Sequence, residues 1–349
     1  MMLFRLFAFA IYALHLRSGS VLAQRPTAYP YALTFGLSSI TASRITTSGE
    51  IEIVRRPASI EYQTYVNSFL APYGESIPDD GYRRAAMVKR SSDAENCHPA
   101  LAISQQQLDI IGQAVEEMAG SRPQYRLFTS PPAIADIVDV VAQEALLPQR
   151  PIPRHMGWMA ITAYDLQGCA SSGRTLVECQ AKRNDFDDLV LLIEYEEHYL
   201  GLHLLGTEYI GGVINFVGRR HSRDLGEARV LQAKNSSGHA QDLRNFIGDF
   251  INDCVNAYEY YQRLDIRTVV AAGTASPDSV AEVLDAARDA IGHKVQVLNY
   301  INPGDVIARG AAIFSQLMID GDPQNDMWRD WFGTEPREEV EKGRESRAG

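Results

Sequence analysis

Lysine is scarce in this 349-residue chain: of 33 basic side chains only five are lysines, Lys89, Lys182, Lys234, Lys294 and Lys342. Positive charge as a whole falls short, with 44 acidic residues and a formal net charge of −11. A basic face able to displace phosphate counterions is therefore missing, which excludes sequence-independent nucleic-acid binding. The same deficit excludes polybasic attachment to anionic lipid. Cysteine is limited to Cys97, Cys169, Cys179 and Cys254. They form no CxxC pair and have no histidines at zinc spacing, so no metal site is expected. The chain also lacks a GxSxG elbow, an HExxH helix and a catalytic Cys/His context. His155, His198, His203 and His221, near acidic residues, are what remains for general acid–base chemistry. Beyond the N-terminus no apolar run approaches the length of a membrane span, and none is expected in the mature chain.

What is present begins with residues 1–23, MMLFRLFAFAIYALHLRSGSVLA. Arg5, an apolar run from Leu6 to Leu16, and small residues at Val21-Leu22-Ala23 have the layout of a secretory signal peptide cleaved after Ala23. The run is short for a spanning helix, which needs about 20 residues. Secretion is the expectation. The C-terminal GRESRAG carries no KDEL-type signal, and residence in the endoplasmic reticulum lumen or a signal anchor is the alternative. In an oxidising compartment Cys169 and Cys179, flanking ASSGRTLVE, are candidates for a disulfide. The connectivity stays open, and Cys97 and Cys254 are as readily buried free thiols. Asn235-Ser236-Ser237 is a glycosylation acceptor in a polar segment.

Periodicity predicts an α/β chain. YALTFGLSSITASRITTSGEIEIV alternates apolar and polar residues, with Ser48-Gly49 as the turn of a hairpin. QQQLDIIGQAVEEMAG is a helix stopped by Gly120, YRLFTS a strand, and PAIADIVDVVAQEALL and MGWMAITAYDLQG are helices, the last ending at Gly168. FDDLVLLIEYEEHYLGLHLLG reads as a second pair of apolar runs about a polar centre, Glu194 to His198. A long amphipathic helix follows from about His239, then strand IRTVVAAG, helix SPDSVAEVLDAARDAIG capped near Ser276 or Pro277, strand KVQVLNY and a small-residue helix, VIARGAAIFSQLMI. Each half thus opens with a hairpin and continues with strands and helices, an arrangement of two related lobes facing a cleft.

The order and wording of these segments resemble the nucleotide-binding domain of DnaK-type heat-shock 70 kDa chaperones, in the actin-like ATPase superfamily. ALTFGLSSITASRITTSGEIEIV resembles that family's first phosphate hairpin, and RLFTSPPAIADIVDVVAQEALL with MAITAYDLQG its "VPA" strand and the helices after it. LLIEYEEHYLGLHLL falls at the second phosphate hairpin, and VVAAGTASPDSVAEVL at the adenosine motif. INPGDVIARGAAIFSQ resembles the closing segment. Divergent, shortened relatives occur in filamentous fungi, and this chain is similar to them. The resemblance implies a two-lobed, ribonuclease H-like fold of mixed sheets flanked by helices, with reduced lid subdomains. It divides the chain into a signal peptide (1–23), lobe I (24–180), lobe II (184–304), a closing helix packing back on lobe I (305–320) and a charged tail (321–349).

The same resemblance implies that nucleotide, if retained, contacts Gly36, Leu37, Ser38, Glu194, Gly273 and Thr274. The departures point the other way. Thr34 replaces the family's metal-holding Asp, and Glu196, Glu197 and His198 replace the glycines of the second turn. Carboxylates there repel a polyphosphate, by about 4 kcal/mol per pair of charges ~4 Å apart at an effective dielectric of 20. Lys89, in GYRRAAMVKR, is the sole counterpart of the catalytic lysine, and Ser276 stands in place of the arginine that stacks on adenine. The expectation is a pseudo-ATPase without cofactor or metal that works by binding a protein partner. The alternative is a divergent ATPase that still takes ATP with magnesium.

Overall fold

The structure, a computed structural model, describes residues 30–69, 97–131, 151–166, 188–207, 214–232, 237–258 and 261–317, with Leu146 and Gln149. Lys89, Ala23, Cys169, Cys179, Asn235, the PAIADIVDVVAQEALL segment apart from Leu146, and the charged tail lie outside the described residues.

The first sheet contains β1 (Tyr31–Phe35), β2 (Ser39–Ile45), β3 (Ile51–Pro57), β4 (Tyr125–Ser130) and β5 (Ile152–His155), in the order β3-β2-β1-β4-β5. β1, β2 and β3 pair antiparallel, and β4 and β5 join parallel to β1. The second sheet contains β6 (Asp188–Glu196), β7 (Tyr199–Thr207), β8 (Ile214–Ser222), β9 (Ile266–Ala272) and β10 (Gln296–Leu298), in the order β10-β9-β6-β7-β8. Its pairing repeats the first: a three-strand antiparallel meander, then two parallel strands on the far side of the first strand. The duplication expected from the sequence is thus a duplication of topology.

Alternation along β6 decides which way each side chain faces. Leu189, Leu191, Ile193 and Tyr195 pack into an outer core with Leu243, Ile247 and Phe250 of α5 (Ser237–Ala257) and Val283 and Leu284 of α6 (Pro277–Ile291). Val190 and Leu192 face the other way, onto α3 (Met156–Ala163) and α7 (Pro303–Leu317). The first sheet is handled alike. Leu33 and Phe35 pack with Tyr62 and Val66 of α1 (Ile60–Phe69) and Ile111 and Val115 of α2 (Cys97–Ala119), while Ala32 and Leu127 face α3 and α7. Two sheets therefore share one inner helical layer. Its helices approach so closely at Gly310 that a Cβ there would lie 1.8 Å from the Met159 carbonyl oxygen.

Several boundaries differ from the sequence reading. The first run, residues 31–45, is two strands rather than one, broken at Gly36-Leu37-Ser38, where the Gly36 N–H donates to Ser39 O at 2.8 Å. α2 starts at Cys97, well before Gln105. α3 ends at Ala163, with Tyr164 as its C-cap, instead of at Gly168: Asp165 takes the left-handed conformation (φ 52°), Leu166 N–H donates to Ile161 O and Asp165 N–H to Thr162 O. That is a Schellman closure with Asp in the usual glycine position. β8 and the six-residue α4 (Glu227–Gln232) had no counterpart in the sequence reading. Among the described residues no helix is long and apolar enough to cross a membrane.

Candidate functional site

Past Leu192 the inner face of β6 changes chemistry, from Val190 and Leu192 to Glu194 and Glu196. Both glutamates line a cleft of about 490 Å³, its open mouth included, between the ends of the two sheets. From the first sheet come Thr34, Phe35, Gly36, Ser39, Thr41, Arg55 and Ser130. Gly273 and Thr274 come from the turn after β9, and Pro303, Gly304 and Ile307 from the start of α7. Of the six residues assigned by resemblance, Gly36, Glu194, Gly273 and Thr274 line this one cleft. Ser38 reaches its rim by hydrogen bonding, whereas Leu37 is buried in the outer apolar core of the first sheet. Ser39, Thr41, Ser130 and Arg55 were not picked out from sequence. Their only signal is position, at or beside strand ends.

Glu196 is the junction of three segments. Its side chain, 7% exposed, accepts from the Ser38 hydroxyl at 3.3 Å and from the Thr274 hydroxyl at Oε2. Ser38 and Thr274 hydroxyls also meet at 3.4 Å. The turn of the first hairpin, the end of β6 and the turn after β9 are thus tied at one carboxyl group. Burial, partly offset by these hydrogen bonds, pushes its pKa up to about 7. Gly273 makes the arrangement possible. Its φ is +113°, and a Cβ would lie 2.1 Å from the Tyr195 carbonyl oxygen, a conformation and an approach that only glycine tolerates. Gly273 N–H donates to Pro303 O at 3.2 Å and Ala275 N–H to Tyr195 O at 3.1 Å, fixing the turn against β6 and α7.

Glu194, 3% exposed, lies deeper. Tyr199 hydrogen-bonds its side chain, and burial raises its pKa to about 8. Its Oε2 has no hydrogen-bond partner and sits 3.7 Å from His203 Nε2. Burial lowers the His203 pKa to about 3, so at neutral pH this contact joins a neutral imidazole to a mostly protonated carboxyl. It is dipolar rather than ionic. Three of the four histidines noted in the sequence gather behind Glu194. The His155 and His203 rings lie 6.1 Å apart, and His221 lies 5.9 Å from Tyr199. Burial lowers His155 to about 3 and His221 to about 4, so none supplies an imidazolium near neutrality. His155 Nδ1 instead caps α3 by accepting from Gly157 N–H at 3.0 Å.

The second turn corrects one expectation. Glu197 and His198 form a two-residue loop, since Glu196 pairs with Tyr199 across the hairpin. Both point to solvent, with side chains 64% and 59% exposed and 3.5 Å apart. Glu197 lies past the end of β6, in the exposed turn, so the inner carboxyl pair is Glu194 and Glu196 rather than Glu196 and Glu197. The turn is fastened from behind by Gly226, which has no room for a Cβ against the His198 and Tyr199 backbone, and by Ala228 N–H donating to Glu197 O at 2.7 Å. Cys254 is a buried free thiol, its pKa raised to about 12 by burial. Among the described residues no three His, Cys, Asp or Glu side chains converge to hold a metal ion. No protein-family model and no curated protein matches the chain.

Proposed function

We propose that the chain is a degenerate heat-shock-70-type, actin-like nucleotide-binding domain, secreted or held in the secretory pathway, that has lost ATP hydrolysis and works by binding a partner protein. The shared order of the two sheets supports the scaffold, because the actin-like architecture is a duplicated mixed sheet around an interlobe cleft. One observation carries the loss of hydrolysis: the Glu196 carboxyl, bonded to Ser38 and Thr274, fills the junction of the three turns that would have to wrap a triphosphate. Phosphate loops work through open backbone N–H groups in glycine-rich turns. Here the corresponding space holds an acceptor, which repels an anion and takes up the hydroxyls that could have bound it. Glu194, next along the same strand face, adds a second acceptor at the same end of the cleft.

The test is thermal unfolding of the secreted, processed protein with millimolar MgATP. A ligand at 100 times its Kd stabilises a protein by about 2.7 kcal/mol. No change in Tm is expected for the natural chain, and the Glu196→Ala variant is expected to gain whatever weak nucleotide response the scaffold retains. A clear Tm rise in the natural chain would overturn the loss of nucleotide binding and favour a divergent ATP-binding protein.

A further inference from the structure

The two sheets are joined across the cleft in two ways. One set of bridges runs through α7. The Ser43 hydroxyl of β2 donates to Ala308 O at 2.7 Å, and Arg55 of β3 bonds Gly304 O and, at 2.8 Å, Asp305. From the other sheet, Gly273 N–H donates to Pro303 O at 3.2 Å. The second connection is direct, from Ser38 in the first turn to Glu196 and Thr274. Each partner in it is held by its own sheet. Ser38 O accepts from Ala58 N–H at 2.9 Å, which pins the turn to the end of β3. Glu196 ends β6, and Thr274 lies between Gly273 and Ala275, both fixed by backbone hydrogen bonds. The Ser38–Thr274 pair is open to solvent, and the Glu196 side chain keeps a little exposure, so water can compete for this link.

From this geometry we infer that Ser38, Glu196 and Thr274 form a proton-operated clasp that holds the two hairpins together across the cleft and releases them when Glu196 ionises. A protonated carboxyl is neutral and still accepts from both hydroxyls. An ionised one gains strength in those bonds but gives up its hydration. Burial outweighs the bonds, and the Glu196 pKa rises from the ordinary 4.5 to about 7 while the clasp is shut.

The groups around Glu196 give its charge no relief. Glu194 beside it on β6 is acidic, and Tyr199 and His203 on β7 are neutral near pH 7. Arg219 of β8 acts on Tyr199 and the histidines behind it. Arg55 of β3, across the cleft, is engaged by Asp305 of α7. Opening returns the carboxylate to water, so the shut form holds a proton that the open form has released. The ratio of open to shut therefore rises with pH, by up to about tenfold per unit, and levels off above about 7. The clasp is independent of the loss of hydrolysis, and its test uses no nucleotide, so either can fail alone.

The experiment is a pulsed electron paramagnetic resonance distance measurement on the whole processed chain. Nitroxides are attached through a ketone-bearing residue at Arg56, exposed at the end of β3, and at Glu197, exposed in the second turn. The natural cysteines stay unlabelled. A short and a longer distance are expected, with the ratio of long to short rising by about tenfold from pH 6 to pH 8, most of it below pH 7. Glu196→Gln, which stays uncharged and still accepts from both hydroxyls, should keep the short distance at every pH. Ser38→Ala, which removes the first sheet's share of the clasp, should show the longer distance already at pH 6. A distance distribution in the natural chain that does not change with pH would overturn the inference. So would a Glu196→Gln variant that opens with pH as the natural chain does, or a Ser38→Ala variant indistinguishable from the natural chain at pH 6.

Discussion

The two hairpins at the cleft share a topology and differ in what they place at its end. In the first, a three-residue connection from Gly36 to Ser38, closed by Gly36 N–H donating to Ser39 O, offers small hydroxyls. In the second, a two-residue connection lets β6 run on through Glu196, so the strand delivers carboxyl groups where the first hairpin has a loop. The difference is one of strand length as much as residue type. Extending a strand by one residue pair adds one more side chain to each face, and on the inner face of β6 that side chain is Glu196. A duplicated scaffold thus has one half that stays polar and open and one that reaches across and binds it.

The sharpest way to break the comparison is at glycine. Gly273, at the tip of the second sheet, and Gly49, in the β2–β3 turn of the first, both have positive φ. A Cβ on Gly273 collides with the Tyr195 backbone, whereas one on Gly49 meets nothing within 4 Å. Gly273→Ala should therefore cost about 3 kcal/mol or more, through strain and collision together. Gly49→Ala should cost about 1 kcal/mol, from the left-handed conformation alone. Urea unfolding of the two variants checks this; similar losses would mean that the two turns are equally tolerant.

Next in size is a pH effect centred on the second hairpin and the histidines packed behind it. His155, His203 and His221 have folded pKa values below the usual histidine value, so their stability contribution is lost as pH falls below about 6.5. Glu194 and Glu196 have folded values above the usual carboxylate value, so the folded chain holds protons the unfolded chain has released, and stability falls as pH rises towards 8. Stability should peak near pH 6.5 and drop by about 2 kcal/mol by pH 8. Glu194→Gln should flatten most of that alkaline decline, while Thr34→Val, at the matching place on the first hairpin, should leave its slope unchanged. Thermal unfolding across pH 5–9 reads both, and an undiminished decline in Glu194→Gln would place the proton elsewhere.

The smallest effect tests the tie itself. Ser38→Ala removes one hydroxyl from Glu196 and should cost about 1 kcal/mol, as one net hydrogen bond does. Glu197→Ala, on the solvent side of the same hairpin, should change stability by less than about 0.5 kcal/mol. A larger loss at Glu197 than at Ser38 would reverse the assignment of inside and outside.

Much of this fold is legible in the sequence, because period-two and helical patterns mark most of the elements and Ser276-Pro277 marks the start of α6. The break between β1 and β2 is not, because LTFGLSSI continues the alternation through the turn and only Gly36 hints at it. The Schellman end of α3 is hidden too, since Asp165 takes a position where glycine is the usual signal. Of the residues assigned by resemblance, Gly36, Glu194, Gly273 and Thr274 line the one cleft. The segregation of Glu196 from Glu197 could not be read from the sequence. It depends on where β6 stops, and terminal residues are the part of a strand that pattern leaves least determined.

The contact between Gly310 and Met159 bears on how the whole molecule melts. Because α3 and α7 meet at backbone distance, Ala32 and Leu127 from one sheet and Val190, Leu192 and Val270 from the other are walls of a single apolar room. Neither sheet keeps a complete interior if the other leaves. Heat should therefore find no stopping point between them: the described chain loses both sheets in one cooperative transition.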